Sequence, residues 1–286
     1  MKIDAHFHSW QIARGDYGWL TPAMGVIYRD VTVPDWQAEA GARGIVGGVL
    51  VQAAPTEAET LHLLALAQAN PCVLGVVGWV DLQAPDAPQR IRALAAHPRL
   101  KGLRPMLQDI ADPDWILQAA VQSSLATMAE LGLVFDALVK PVHLPRVLSV
   151  VQRHPELRVV IDHGAKPDIA HGEWQPWADQ MAALARQAQV ACKLSGLLTE
   201  AGPQPNPDAV QPWAAHLLEV FGPDRVLWGS DWPVLELVAR YQDWDRTCQN
   251  WVTGWSSQQR DALFGGNARR IYRLDPDGPA LHGDIL

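Results

Sequence analysis

The stretch that decides the reading of this chain is Met1-Lys2-Ile3-Asp4-Ala5-His6-Phe7-His8-Ser9-Trp10. Ile3 to His8 reads as a short strand ending in two imidazoles. Successive strand side chains point to opposite faces, so His6 and His8 share one face and Phe7 takes the other. Two neutral imidazoles placed this way suit a divalent metal, or a polar cradle for a substrate oxygen.

Outward from this strand, the same two-part unit recurs. A long polar and aromatic loop, Ser9 to about Arg29, carries Arg14, Asp16, Tyr17 and Trp19; its length suits a lid or binding segment. Strands are then expected at Ile45–Val51, Val73–Val80, Leu100–Met106, Leu133–Val139, Arg158–Asp162, Val190–Leu194 and Arg225–Trp228. Between and after them the pattern predicts helices at Pro34–Ala42, Glu57–Asn70, Ala87–Ala96, Asp114–Leu131, Leu144–Arg153, Trp174–Gln187, Pro207–Phe221, Leu235–Trp251 and Ser257–Tyr272. Near-continuous apolar strands alternating with helices indicate a parallel sheet covered on both faces. Eight such units in 286 residues fit a (β/α)8 TIM-like barrel, read as a single domain over 1–286 with a C-terminal tail from about 274. No Gly-x-Gly-x-x-Gly follows the first strand, which argues against a dinucleotide fold.

Composition narrows the class. The chain is 48% hydrophobic and 19% charged, with a formal net charge of -8, and has no basic stripe, so nucleic acid is not an expected partner. No run is long and apolar enough to span a bilayer. Three cysteines far apart in sequence (Cys72, Cys192 and Cys248), with no apolar signal core, lead to the expectation of reduced thiols in a cytoplasmic protein. No surface stripe announces an oligomer, although barrels of this kind commonly form a homodimer. Thirteen tryptophans stand against four tyrosines and four phenylalanines. Most suit core and loop packing, and a few at a pocket mouth suit the apolar face of a sugar ring.

In a barrel of this type the active site lies at the carboxyl ends of the strands. There the sequence offers His6 and His8 after strand one, Gln52 after two, Asp81 after three, Arg104 late in four, His163 after six, Ser195 after seven and Asp231 after eight. Each has an ordinary structural alternative. Asp231 could cap the next helix, Arg104 could pair with Asp81, His163 and Ser195 could satisfy turns, and Lys166 could sit in a solvated loop. Strands one and eight are neighbours in a closed barrel, which brings His6, His8 and Asp231 within reach of one another. There is no Gly-x-Ser-x-Gly elbow for a serine nucleophile.

Met1 to Trp10, Asp162-His163, Trp228-Gly229-Ser230-Asp231-Trp232-Pro233 and Gly266-Asn267-Ala268 together resemble the amidohydrolase superfamily. Asp16-Tyr17-Gly18-Trp19-Leu20, Val49-Leu50-Val51-Gln52-Ala53, Gly78-Trp79-Val80-Asp81, Lys101-Gly102-Leu103-Arg104-Pro105 and Asp162-His163-Gly164-Ala165-Lys166-Pro167 resemble its sugar-lactonase branch, the L-fuconolactonase-like proteins. The resemblance runs from residue 1 to about 273. It implies a TIM-like barrel, hydrolysis of a sugar-derived lactone, and roles for the strand-one histidines, His163 and Asp231. Strand five offers only Asp136 and Lys140 where many relatives supply a metal-bridging ligand, which argues against a binuclear centre. One divalent metal ion, zinc or similar, on His6, His8 and Asp231, with or without His163, stays open beside a metal-independent site.

A lactone needs a nucleophilic water, a polarised carbonyl and a protonated leaving alkoxide. Asp231 is expected as the base that takes the water proton and returns it to the ring oxygen. His6, His8, His163 and Arg104 are expected to stabilise the oxyanion, directly or through a metal. Trp19, Tyr17, Trp232, Gln52 and Asp81 are expected around the sugar ring, with Arg104 and Lys166 available to a carboxylate. A neutral aldonolactone such as L-fucono-1,5-lactone is favoured. A dicarboxylate lactonase (2-pyrone-4,6-dicarboxylate or an aldarolactone), a sugar-lactone isomerase and a decarboxylase are the other enzymes considered. A non-catalytic carbohydrate-binding barrel would explain the tryptophans but not the histidine–aspartate convergence.

Overall fold

The computed structural model describes residues 1–274, so the expected tail beyond 274 lies outside the described residues. Eight strands run parallel in simple sequential order: β1 (Lys2–Phe7), β2 (Ile45–Val51), β3 (Val73–Gly78), β4 (Leu100–Leu103), β5 (Val134–Ala137), β6 (Val159–Ile161), β7 (Val190–Leu194) and β8 (Val226–Trp228). A Phe7–Trp232 bridge, with His8 N–H donating to the Trp232 carbonyl at 2.8 Å, brings the loop after β8 onto β1 and closes the ring. The result is the (β/α)8 barrel that the alternation predicts.

The main helices α1 (Val33–Gly41), α2 (Glu57–Ala69), α3 (Ala87–Ala95), α4 (Ala119–Leu131), α5 (Leu144–Arg153), α6 (Trp177–Ala185), α7 (Pro207–Phe221) and α8 (Tyr241–Trp251) follow their strands in turn. Capping is legible in the sequence. Thr32 and Asp35 exchange side-chain and backbone bonds at the start of α1, and Thr56 accepts from Glu59 N–H at the start of α2. Gly132, at φ 66°, ends α4 as expected. Among the described residues no helix is long and apolar enough to cross a membrane, and the three cysteines are free thiols.

Three expected helices are broken. Asp114 leads only a short turn, Trp115–Leu117, before Gln118 goes extended and α4 begins at Ala119. The segment expected as Leu235–Trp251 splits into the turn Val234–Leu237 and α8, because Val238 and Arg240 leave helical geometry. The last helix divides into α9 (Ser257–Asp261), a wide turn at Ala262–Gly266 and α10 (Asn267–Ile271). The reason is steric: a Cβ on Gly265 would stand 2.2 Å from the Met1 carbonyl oxygen, so the turn gives way to the start of β1.

Two apolar layers result. The larger lies between strands and helices; the smaller fills the barrel with Ile3, Ala5, Val49, Val77, Val134, Val160, Ala191 and Leu227, and α10 plugs its lower end with Ala268, Ile271 and Tyr272. Strand β1 changes parity on the way up. Asp4 pairs with Gly48 but Phe7 pairs with Leu50, three residues against two, so one residue is extra and β1 bulges. Below the bulge Asp4 faces the helices; above it His6 and His8 face the lumen, while Phe7 stacks on Trp36 at 3.9 Å.

Asp4 is wholly buried and gathers five donors from four places: Ser230 N–H (2.9 Å), Ser230 Oγ (2.6 Å), Trp36 Nε1 (3.0 Å), Tyr241 OH (2.8 Å) and His6 N–H (3.1 Å). It therefore ties β1 to the loop after β8, to α1 and to α8. We expect Asp4→Ala to destabilise the fold by about 3–5 kcal/mol, since it strands buried donors. Ser230→Ala should cost only about 1 kcal/mol in the same urea titration.

Candidate active site

The loops at the carboxyl ends of β1, β6 and β8 bring three imidazoles around one carboxylate oxygen. Asp231 Oδ1 stands 3.3 Å from His8 Nε2, 3.5 Å from His6 Nε2 and 3.7 Å from His163 Nε2. His6 and His8 face each other at 3.2 Å between Nε2 atoms. All four side chains are nearly or fully buried.

Backbone geometry holds this cluster at some cost. His163 (φ 53°) and Asp231 (φ 59°) both sit in the left-handed region, which non-glycine residues rarely adopt. Ala165 and Lys166 continue the left-handed run after His163. Asp231 N–H donates to the His6 carbonyl at 2.8 Å, so Asp231 is pinned to the strand that carries the histidines. Two glycines make the room. A Cβ on Gly229 would lie 2.9 Å from His6 Cβ, and one on Gly196 would lie 2.6 Å from His163 Nδ1.

Electrostatics favour an ionised Asp231 beside neutral His6 and His163. Burial alone would raise the Asp231 pKa, but His163, His8 and His6 more than offset this and hold it well below the usual carboxylate range. Burial pushes His163 down to about 4, and burial together with Lys193 pushes His6 well below its ordinary value. The His8 tautomer is fixed, because Nδ1 lies 2.8 Å from the Val51 carbonyl, which can only accept. Its Nε2 therefore turns a lone pair to the pocket. His163 Nδ1 is anchored by Ser195 Oγ at 2.9 Å.

These donors fit one small divalent cation. Metal–ligand bonds of about 2.0–2.1 Å in a tetrahedron give edges of about 3.3 Å, and the contacts of Asp231 Oδ1 with the histidines run from 3.3 to 3.7 Å. His6, His163 and Asp231 offer ligand atoms within 4.8 Å of one another. The expected ligands His6, His8 and Asp231 thus meet in space, and His163 joins them.

The other expected residues divide. Arg104 reaches the cluster, with Nη1 3.4 Å from His6 Nε2. It pairs with Asp162 at 3.3 Å and with the Gln52 carbonyl, not with Asp81. Gln52 is buried and donates to the Arg104 carbonyl at 2.8 Å. Tyr17 and Trp232 are built into the wall, 6% and 1% exposed, and Trp232 Nε1 donates to Glu236. Lys166 lies 3.6 Å from Glu200. Trp19 and Asp81 do line an open cavity of about 680 Å³ over the ends of β2 to β4. That cavity also exposes Trp79, Trp115, Met106 and two further carboxylates, Asp16 and Asp109. None of His6, His8, His163 and Asp231 is among its described lining residues; Pro55 and Pro105, which are, follow Gln52 and Arg104 closely along the chain.

Lys193 was missed because it lies inside a strand, and Asp136, weighed only as a metal ligand, turns out to be its partner. Lys193 on β7 and Asp136 on β5 are fully buried in the lumen, 2.6 Å apart, and Lys193 Nζ also lies 2.9 Å from Asp162. Burial disfavours the Lys193 ammonium, yet Asp136 and Asp162 raise its pKa overall. The available signal was parity: Lys193 shares a strand face with Ser195, and a lysine facing outward would have met helices.

A parallel barrel with a histidine–aspartate cluster at its strand ends defines a hydrolase-type (β/α)8 protein whose site could hold one divalent cation. The amidohydrolase family model matches residues 3–274, and the chain belongs to this family. It is 43% identical over 284 residues to an L-fucono-1,5-lactonase of Burkholderia ambifaria, covering 97% of each chain. It is 34% identical to an L-fucono-1,5-lactonase of Burkholderia multivorans, covering 96% of each. A crystal structure of an amidohydrolase from Burkholderia multivorans with bound zinc superposes with a TM-score of 0.91 at 33% identity, over 96% of this chain and 100% of that one.

Behind the site, Glu59 accepts from the N–H groups of Ala53 (3.0 and 3.1 Å) and Ala54 (2.7 Å), shaping the turn after β2. Burial outweighs these bonds and raises its carboxyl from 4.5 to about 7. A raised acid keeps its proton longer in the folded state, so its contribution to stability is complete below pH 4.5 and is lost as pH rises toward 7. Stability of the native protein relative to Glu59→Gln should therefore fall by about 3 kcal/mol between these two pH values in urea titrations at constant ionic strength.

Proposed function

We propose that this barrel is a carboxylic ester hydrolase that opens a sugar-derived lactone, L-fucono-1,5-lactone or a close aldonolactone, to the sugar acid. The observation that carries the reading is Asp231 Oδ1 ringed by His6, His8 and His163 at the barrel mouth. The relatives named as L-fucono-1,5-lactonases support the substrate class.

Asp231 takes a proton from the attacking water while the water oxygen bonds to the lactone carbonyl carbon. The carbonyl electrons move onto oxygen, and the imidazole donors and Arg104 stabilise that oxyanion. Collapse breaks the bond to the ring oxygen, and Asp231 returns its proton to the leaving alkoxide. The ring opens to a carboxylate and a hydroxyl. A divalent cation on His8, His163, Asp231 and His6 would add Lewis acidity at the carbonyl and lower the pKa of water.

The lining of the neighbouring cavity favours a neutral ring over a dicarboxylate. Trp19, Trp79 and Trp115 offer planes for the C–H face of a sugar, and Asp16, Asp81 and Asp109 offer acceptors for hydroxyls; no lysine or arginine lines it. Arg104 is held by Asp162 and Gln52, so a second carboxylate would find acids around it. Like charges at such distances cost several kcal/mol.

Asparagine tolerates the left-handed backbone of position 231 better than most residues, so Asp231→Asn should keep the fold. Its kcat on L-fucono-1,5-lactone should drop about 10²- to 10⁴-fold in a pH-indicator assay with unchanged circular dichroism. Retained turnover would remove the assignment. In the same assay kcat/KM for 2-pyrone-4,6-dicarboxylate should lie at least about a hundredfold below that for the neutral lactone; the reverse order would make this a dicarboxylate lactonase.

A further inference from the structure

The reaction above uses the pocket side of His6 and leaves its other side without a task. There, sealed inside the barrel, Lys193 Nζ lies 2.6 Å from Asp136 Oδ2, 2.9 Å from Asp162 Oδ1 and 3.1 Å from His6 Nδ1. Tyr272 OH, at the plugged end, stands 2.8 Å from both oxygens of Asp136 and holds that carboxylate in line. A lysine between two carboxylates is an ammonium, with three N–H donors and no lone pair. Asp162 Oδ1 also stands 3.5 Å from His6 Nδ1, but it is paired with Lys193 at 2.9 Å, and Lys193 is the nearer neighbour of Nδ1 and can only donate, so His6 Nδ1 accepts.

We propose that Lys193 is a positioning residue that fixes His6 in the Nε2–H tautomer, so that His6 turns a hydrogen-bond donor, not a lone pair, to the pocket. His8 has the opposite form, with its Nδ1 proton on the Val51 carbonyl and its Nε2 free to accept from His6 Nε2 at 3.2 Å. The two imidazoles of the His-x-His pair are therefore complementary, one donor and one acceptor. Arg104 Nη1 also approaches His6 Nε2, at 3.4 Å, the longer of its two contacts, whereas Asp162 at 3.3 Å takes a charge-assisted bond from the same nitrogen and Asp231 Oδ1 at 3.5 Å offers His6 Nε2 an acceptor.

This divides labour within the cluster. His6, His163 and Asp231 offer the clustered ligand atoms for a cation, but His6 is free to ligate one only if its proton moves to Nδ1, against the N–H of Lys193. As long as Lys193 holds it, His6 serves as the donor that meets a developing oxyanion. Only that last consequence rests on the lactonase reading; the tautomer rests on the contacts alone.

Long-range ¹⁵N–¹H spectra of chelator-treated protein labelled at histidine test it directly, with His6 and His8 assigned from His6→Gln and His8→Gln. The expected result is a protonated Nε2 on His6 and a protonated Nδ1 on His8. A proton on His6 Nδ1 overturns the proposal, whatever the activity. Zinc competition against a chromogenic chelator gives a second readout. The charge-neutral pair Lys193→Gln with Asp136→Asn frees the His6 tautomer and should bind zinc at least about tenfold more tightly than the native protein. Adding His6→Gln should abolish the gain. A gain that survives His6→Gln, or no gain in a folded double variant, counts against Lys193 acting through His6. If the double variant fails to fold, the spectra of the native protein decide alone. Failure of lactone turnover with the expected tautomers would remove the proposed reaction and leave the positioning role standing.

Discussion

The meeting of the last strand with the first depends on one carboxylate that never reaches water. Asp4 accepts from Ser230 at both backbone and side chain, and the next residue along the chain is Asp231. The same Asp4 accepts from the His6 amide. One buried acid thus sets the spacing between Asp231 and the imidazole it faces, from the opposite side of the sheet. The bulge in β1 makes this division possible: without the extra residue, Asp4 and His6 would share a face, and a single strand could not supply both the tie and the site.

The lumen above the apolar plug is a balance of fixed charges. Lys193 and Arg104 stand against Asp136, Asp162 and Asp231, two cations against three carboxylates, with His6 and His163 neutral. The two cations, Asp136 and Asp162 compensate one another through direct pairs, and among the described ion pairs Asp231 meets imidazoles alone. The surplus negative charge therefore sits on the group that faces the pocket. Such a charge attracts a divalent cation, and Lys193 and Arg104 below it are already paired with other carboxylates.

Much of this was legible in the sequence, and the failures have physical reasons. Apolar runs of strand length alternating with amphipathic stretches give the barrel, and barrel geometry sends the residues after each run to one mouth. His6, His8, His163 and Asp231 all follow from that rule. Lys193 and Asp136 do not, because a strand reading treats mid-strand charges as exceptions, whereas a barrel interior allows them when they pair. Tyr17, Trp232 and Gln52 show the converse limit. An aromatic or amide near a strand end has the same sequence signature whether it closes a wall or faces a cavity, and only the path of the loop decides. The loop from Ser9 to Arg29 folds back so that Trp10 and Val31 exchange backbone bonds at 2.9 Å, which turns Tyr17 inward and leaves Trp19 at the rim.

The charge of the mouth also bears on turnover. A neutral lactone approaches carboxylates without penalty and finds tryptophan planes and hydroxyl acceptors. Ring opening creates a carboxylate beside Asp231, under a rim that carries Asp16, Asp81 and Asp109. Asp16 is partly neutralised by Arg14, and the other two have no cation paired with them among the described ion pairs. On the proposed reaction the product would bind less well than the substrate for an electrostatic reason that exists only after ring opening. Hydrolysis would convert a guest the rim tolerates into one it repels, so the acids that favour a neutral ring would also favour release.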